Sequence, residues 1–252
     1  MHFRRLLTGM ALMVGAFLVL VGGGGLFAQQ ITTELPPPVG HWVLRAENPV
    51  IIGGYGDNFS YDGNNVRPLI GYCLVNLDAA NHNGTLEAVV WTTEESGPIY
   101  IGKDDPLEGK IRWVQEFRTG SPGLISTFLW LHGDSGYEAP VLPVVWNWLA
   151  TWGLVKVYVN DELKYEWNVG HFMFTPQTRN QNQAIRKPDG TLYHPMNRDF
   201  HGYPQDPNNP ILHVVGHSDG PDSGNFPPFT EFMHINFQTV YVISAPAQIG
   251  GQ

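Results

Sequence analysis

Cysteine is nearly absent from this chain, which excludes a covalent framework as the source of stability. Cys73 is the single cysteine among 252 residues, so no internal disulfide can form. It lies in the apolar run 69–75, where a small thiol ordinarily packs as an inert core residue. We therefore expect Cys73 to be buried and the fold to be stabilised by apolar packing.

Charged residues are also scarce, and the positive ones are the scarcer. They make up 15% of the chain, with 14 Lys and Arg against 23 Asp and Glu. The first 28 residues hold two of the arginines, so the remainder carries a formal charge of −11. Polyanions repel such a surface, so neither nucleic acid nor an anionic lipid surface is an expected partner.

The N-terminus holds a long hydrophobic run. Arg4 and Arg5 precede the 23 residues 6–28, which carry no charged side chain. A basic start, an apolar stretch and a small-residue cleavage point are typical of a secretory signal peptide, while about 20 apolar residues also suffice for a membrane anchor. Residues 1–28 therefore predict a periplasmic or secreted protein. If the segment 6–28 is not cleaved, it is the only part of the protein expected to contact a membrane.

Turn-forming residues dominate the rest of the chain. There are 29 Gly and 20 Pro, and short apolar runs alternate with turn sequences. This pattern predicts an all-β fold over residues 41–246, an antiparallel β-sandwich of jelly-roll or immunoglobulin-like type. We expect a long irregular loop region at 177–209, a Pro-rich linker at 29–40 and a flexible tail at 247–252.

Strict alternation of apolar and polar residues identifies a hairpin between residues 154 and 167. We expect a three-residue loop at 160–162 and three cross-strand pairs that bury one face. The expected pairs are Val159 with Leu163, Val157 with Tyr165, and Val155 with Trp167.

The last long strand is predicted over residues 230–244. Its alternation assigns one face to the core and leaves a polar face for water or a ligand. The expected core face holds Met233, Ile235, Phe237 and Tyr241, and the polar face holds His234, Asn236 and Gln238.

Three tryptophans crowd the segment 143–152, which fits either a short helix or an aromatic loop. Aromatic rings outside a core stack on sugar rings or fill protein interfaces. Trp146, Trp148 and Trp152 are therefore candidate ligand or interface residues, and a protein or a carbohydrate is the expected partner.

Histidines are concentrated in the C-terminal third, which holds six of the ten. His213 and His217 face the same way on an extended strand, and His234 lies on the polar face of the last strand. With Glu231 or His201 they would supply the three or four nitrogen and oxygen ligands that Zn²⁺ and Cu²⁺ accept. The sequence thus predicts a divalent transition-metal site.

Two oxygen-rich loops provide a Ca²⁺ alternative, although neither has the spacing of an EF-hand. Gly or Pro accompanies the acidic residues in both, as turns require even without an ion. The first loop holds Asp57, Asn58, Asp62 and Asn64, and the second holds Asp219, Asp222 and Asn225.

No complete catalytic constellation is visible in the sequence, so the prediction for function is non-enzymatic. We expect an exported binding protein or an accessory subunit of an envelope or extracellular assembly. The alternative from another class is a His-dependent Cu or Zn protein, either a carrier or a metalloenzyme.

Overall fold

The structure of the protein is a computed structural model that describes most of the chain after residue 36. The described residues are 37–54, 62–64, 66–131, 145–187, 189–193, 206–219, 222, 224 and 228–247. The predicted signal peptide or anchor, most of the predicted linker, His201 and residues 248–252 of the predicted tail lie outside them.

The all-β class is confirmed for the described residues, whose regular elements are strands. Nor do these ranges contain any helix with the length and apolarity that a membrane span requires. The strands are β1 (His41–Gly54), β2 (Arg67–Pro68), β3 (Ile70–Asp78), β4 (Asn83–Trp91), β5 (Ile99–Gly102), β6 (Asp105–Leu107), β7 (Lys110–Phe117), β8 (Leu124–Leu131), β9 (Val145–Val159), β10 (Glu162–Gln177), β11 (Asp206–His217) and β12 (Phe232–Ser244).

The main sheet closes into an eight-stranded antiparallel barrel, so the predicted sandwich is wrong. The barrel strands are β1, β3, β4, β7, β9, β10, β11 and β12, in that order around the wall. Leu44 of β1 lies opposite Val75 of β3 on one side and Val242 of β12 on the other. Because an apolar face alternating with a polar one suits both architectures, only this long-range pairing separates them.

The Trp-rich segment belongs to β9, and the predicted helix or aromatic loop is wrong for its described residues. The second half of β9 pairs with β7 and the first half with β8, while β10 pairs along the other edge. Hydrogen bonding to two neighbouring strands outweighs the weak local preference of a short aromatic segment.

The predicted hairpin is the β9–β10 connection, and its register is largely confirmed. Val157 lies opposite Tyr165 and Val155 opposite Trp167. The loop has two residues rather than three, because Asn160 and Asp161 both take positive φ, of 50° and 71°, as a type I′ turn requires. Val159 therefore lies opposite Glu162, and its predicted pairing with Leu163 is wrong.

Large side chains fill the barrel interior. Trp42, Trp113, Phe172 and Phe174 are each at most 1% exposed and belong to one core cluster. A β-carbon placed on Gly216 would lie 2.7 Å from the Trp167 ring, so even a methyl group does not fit there. An eight-stranded barrel is just wide enough for such filling.

Two predictions about single core residues have opposite outcomes. Cys73 is 0% exposed, as expected, and burial raises the pKa of its thiol. Tyr241 is 50% exposed, so its predicted place in the core is wrong. Val240 packs against the core instead, opposite Ala46. Asn48, with φ 56°, changes which side of the neighbouring β1 faces inward.

Candidate functional site

Four histidines surround Val215 on the outer wall of the barrel. His171 of β10 and His234 of β12 lie directly across from Val215. His213 and His217 lie two residues before and after it on β11, and residues two apart share a face of a strand. The alternate positions of these strands belong to the core, so the imidazoles lie on the opposite face. We call these four residues the histidine layer.

The histidine layer is buried although it lies outside the barrel core. Its side chains are between 0% and 5% exposed. Gln183, in the segment that follows β10, donates a hydrogen bond from Nε2 to Gln238 Oε1 of β12 at 2.8 Å. Arg179, 0% exposed, donates from a terminal guanidinium nitrogen to the Gln183 carbonyl at 2.5 Å. Outside the barrel core, polar and apolar side chains are both buried here, among them Arg179, Gln183 and Ile185.

Two members of the layer have a fixed tautomer. His171 Nδ1 donates to the Thr151 carbonyl at 2.8 Å, and His217 Nδ1 donates to the Ser218 carbonyl at 2.7 Å. Because a carbonyl oxygen can only accept, Nδ1 carries the hydrogen in both, and the neutral ring of His171 has its lone pair on Nε2. A second nitrogen oriented by a backbone carbonyl is typical of metal-binding histidines. His171 Nε2 has no hydrogen-bond partner among the described residues.

His213 and His234 form the closest pair in the layer. His213 Nδ1 lies 3.2 Å from His234 Nε2, and the rings are tilted by 50°. One hydrogen bond between the imidazoles accounts for this distance, and so does a shared metal ion. An ion with bonds of about 2.0 Å and tetrahedral geometry holds two ligand atoms about 3.3 Å apart.

Burial keeps these imidazoles neutral. It lowers the pKa of His171 to about 4 and that of His213 to about 3, and it places the pKa of His234 well below the ordinary 6.5. The Arg179 guanidinium lowers the pKa of His213 and His234 further, while Asn236 partly offsets the shift of both. Neutral imidazole is the form that ligates a metal.

The other predicted metal ligands lie elsewhere or are not described. His217 stacks on Phe229 with ring centroids 3.9 Å apart, at the far side of Val215 from His213. Glu231 accepts a hydrogen bond from Trp167 Nε1 at 2.5 Å and bridges to Gly102. No group of three or more His, Cys, Asp or Glu in the described ranges is arranged to hold a metal ion. The metal role of His217, Glu231 and His201 stays a prediction.

The three candidate tryptophans of β9 are half-buried. Trp152 stacks on His171 with centroids 4.7 Å apart, and Trp148 packs against Phe174 at 4.9 Å. Trp146 lies opposite Trp130 of β8. Two of these rings thus already pack on side chains of this chain, and their role in binding a partner stays a prediction.

The described acidic residues of the two predicted Ca²⁺ loops bond to neighbouring groups. Asp62 accepts from the Asn64 backbone and side chain at 2.9 and 2.7 Å, and Asp222 accepts from the Gly224 amide at 3.0 Å. Asp219 accepts from the side chain of Asn168. The contacts of Asp62 and Asp222 are ordinary turn contacts, whereas Asn168 and Asp219 are 51 residues apart in the sequence. Asp57, Asn58 and Asn225 lie outside the described residues.

Comparison with known proteins adds no functional assignment. No family model, no curated protein and no solved structure matches this chain. Its function therefore depends on the chemistry of the site itself.

Sequence reasoning missed three residues of this region. His171 and Met173 lie on β10 on the same face as His213, and Arg179 follows two residues after that strand ends. The pairing of His171 with Val215 and of Met173 with His213 depends on the register of β10 against β11, two strands that are distant in the sequence. Nothing in the sequence signals that Arg179 folds back over the wall.

Proposed function

We propose that this chain is an exported, non-enzymatic binding protein that holds a transition-metal ion at the His213–His234 pair. The observation that carries the proposal is the 3.2 Å separation of two buried imidazole nitrogens. That separation suits a shared ion, and burial lowers the pKa of both imidazoles, so both are neutral at neutral pH.

The surroundings of the pair support a stable bound ion. His213 and His234 are both 0% exposed, so water does not compete freely for the ion. His171, with its Nε2 lone pair, is close enough to lower the pKa of both histidines.

Metal titration of the full chain, stripped with a chelator, tests the proposal. We expect one Zn²⁺ or copper ion per chain for the parent, and loss of that uptake in the double variant His213→Gln and His234→Gln. His41→Gln is the matched control, because His41 is an exposed histidine bonded to Asn76. Circular dichroism verifies that each variant folds.

Single variants separate the remaining predicted ligands. His217→Gln and His201→Gln weaken binding if these residues complete the metal's coordination and leave it unchanged otherwise. A parent protein without metal uptake, or a folded double variant that binds as tightly as the parent, would refute the proposed function.

We further propose that the protein works outside the cytoplasm, as a carrier or as an accessory subunit of an envelope or extracellular assembly. The export pattern of residues 1–28 supports the location, and the acidic surface excludes nucleic acid from the proposal. Co-purification of the full chain from its native envelope fraction tests the subunit role.

A further inference from the structure

We propose that two copies of the exported protein pair edge to edge along the second half of β12, residues 239–244, and form a symmetric dimer. We call this segment the free edge. The inference goes beyond the proposed function, because the free edge shares no residue with the histidine layer and needs no metal. It follows from the strand pairing, from the exposure of the side chains and from the charge around them.

Strand pairing leaves one side of the free edge open. β11 pairs with β12 only through residues 212–217, which lie opposite 232–237. β1 continues along the other side as far as Ser244. Among the described residues, the free edge therefore has a partner strand on one side only. Unpaired N–H and C=O groups along such an edge are a template for an added strand.

The side chains of the free edge are apolar and exposed on both faces. Tyr241 is 50% exposed and Ile243 is 66% exposed. Val242 lies opposite Leu44, a residue of the barrel core, yet Val242 itself is 42% exposed. A core-facing residue is exposed here because no described strand lies beside it. An added strand would remove apolar surface from water on both faces.

β8 provides a contrast. It also pairs with a single strand among the described residues, β9, but Ile125, Ser126 and Thr127 are at most 2% exposed. Natural sheets often protect an exposed edge with Lys or Pro. The free edge, Thr-Val-Tyr-Val-Ile-Ser, contains neither and is rich in the residues favoured in strands. Its one irregularity is a bulge at Ile243, which has no partner residue on β1.

The charge around the free edge favours a second copy of this chain as the added strand. The chain after residue 28 carries a formal charge of −11, so two copies approach closely only where the surface is uncharged. Residues 232–252 contain no Asp, Glu, Lys or Arg. On the neighbouring β1, Arg45 and Glu47 pair with each other at 2.7 Å. The free edge is therefore a neutral strip on an acidic protein.

Antiparallel pairing of the free edge with its own copy produces a closed dimer. A two-fold axis at Tyr241 places this residue opposite its counterpart and Val240 opposite Val242, so that residues of the same face meet. Each copy uses its free edge once, and the assembly therefore ends at two copies. The two sheets become continuous across the axis.

Sedimentation of the exported protein, expressed from the full chain, tests the inference. Between about 1 and about 200 µM the mass should rise from one chain towards two, because a short edge contact makes a weak dimer. Val242→Glu should weaken association about tenfold or more, because it places a charge in an apolar contact.

Leu74→Glu is the matched control. Leu74 is also 42% exposed, and its replacement adds the same charge. Its strand β3 is paired on both sides, by β1 and β4, so association should change by less than about twofold. Unfolding temperatures verify that the variants fold. Ile243→Glu, at a more exposed position, takes the place of Val242→Glu if that protein does not fold.

Hydrogen exchange locates the contact. A peptide that spans 238–247 should exchange more slowly at high protein concentration than at low concentration, because pairing protects the amides of the free edge. A peptide that spans 70–78 in β3 should exchange at the same rate at both concentrations. Val242→Glu should abolish the concentration dependence of the first peptide.

The outcomes are distinct from those of the proposed function, since metal uptake is measured separately. A parent protein that stays monomeric over the whole range would overturn the inference and leave a strand of another protein as the occupant to seek. A dimer whose free edge exchanges as fast as in the monomer would also overturn it, because the copies would then meet elsewhere. Equal weakening by Leu74→Glu and Val242→Glu would have the same meaning.

Discussion

At the residue scale, burial keeps His171, His213 and His234 uncharged in the folded protein. Burial is the largest cause of the low pKa of His171, and the hydrogen bond to the Thr151 carbonyl opposes it. The same burial dominates at His213 and His234. Protonating any of them inside the fold is therefore costly, whereas the unfolded chain accepts the proton freely.

The free energy of unfolding of the metal-free protein should fall as the pH is lowered from about 6.5 to about 4. In this window the unfolded chain protonates His171 and the folded chain, with a pKa of about 4, does not. The difference corresponds to about 3 kcal/mol for His171 alone. His213 acts with the same sign. Chemical denaturation at several pH values measures the slope.

A variant isolates the contribution of His171. His171→Phe retains a ring against Trp152 and removes one titrating group, so its stability should depend less steeply on pH. Carboxylates with a lowered pKa contribute only near pH 4, with the same sign, and they are present in parent and variant alike; they are Asp78, Asp105 and Asp189. A stability that does not change between pH 6.5 and 4 would contradict the burial of the histidines.

At the element scale, β9 shows how one strand serves two surroundings. Its inward positions Val155 and Val157 are 0% exposed. Leu154 lies on the opposite, outward face of the same strand and is 41% exposed. We therefore expect the strand to accept a charged side chain at position 154 but not at position 157.

Val157→Asp should destabilise the protein by about 3 kcal/mol or more, because it buries an unpaired carboxylate in the barrel. Leu154→Asp, on the exposed face, should change stability by less than about 1 kcal/mol. Urea denaturation of both variants provides the comparison. Equal effects of the two substitutions would show that the strand faces are misassigned.

At the scale of the whole molecule, closure of the barrel determines where a ligand can bind. Aromatic rings such as Trp42 and Phe172 fill the described interior of the barrel. A ligand site is therefore expected on the outer wall rather than inside the barrel. Arg179 and Gln183, which follow β10, lie against that wall: Gln183 bonds to Gln238 of β12, and Arg179 lowers the pKa of His213 and His234. Closure fills the interior with apolar rings and leaves the buried polar side chains His213 and Arg179 on the outer side of the wall.

The mature protein should begin near Gln29. Arg4, Arg5 and the uncharged run 6–28 have the pattern of a cleaved export signal. The mass of the intact protein isolated from its native source measures this directly, and the expected value lacks residues 1–28. A mass that retains these residues would identify the segment as an anchor instead.

The sequence by itself determined the local features of this protein. The pairs Val157–Tyr165 and Val155–Trp167 and the burial of Cys73 were predictable, because they depend on alternation within a few residues. The shared face of His213 and His217 was predictable for the same reason. The type I′ loop was mistaken by one residue, since positive φ at both Asn160 and Asp161 is a property of the completed turn.

Only the tertiary structure decided the barrel, the strand character of β9 and the histidine layer. Each depends on pairing between distant parts of the chain: β1 with β12, β9 with three neighbours, and Arg179 over the wall that carries His213 and His234. Alternation states which face of a strand is apolar but not which strand lies beside it. Long-range hydrogen bonding and burial supply that information, and they exist only once the chain has folded.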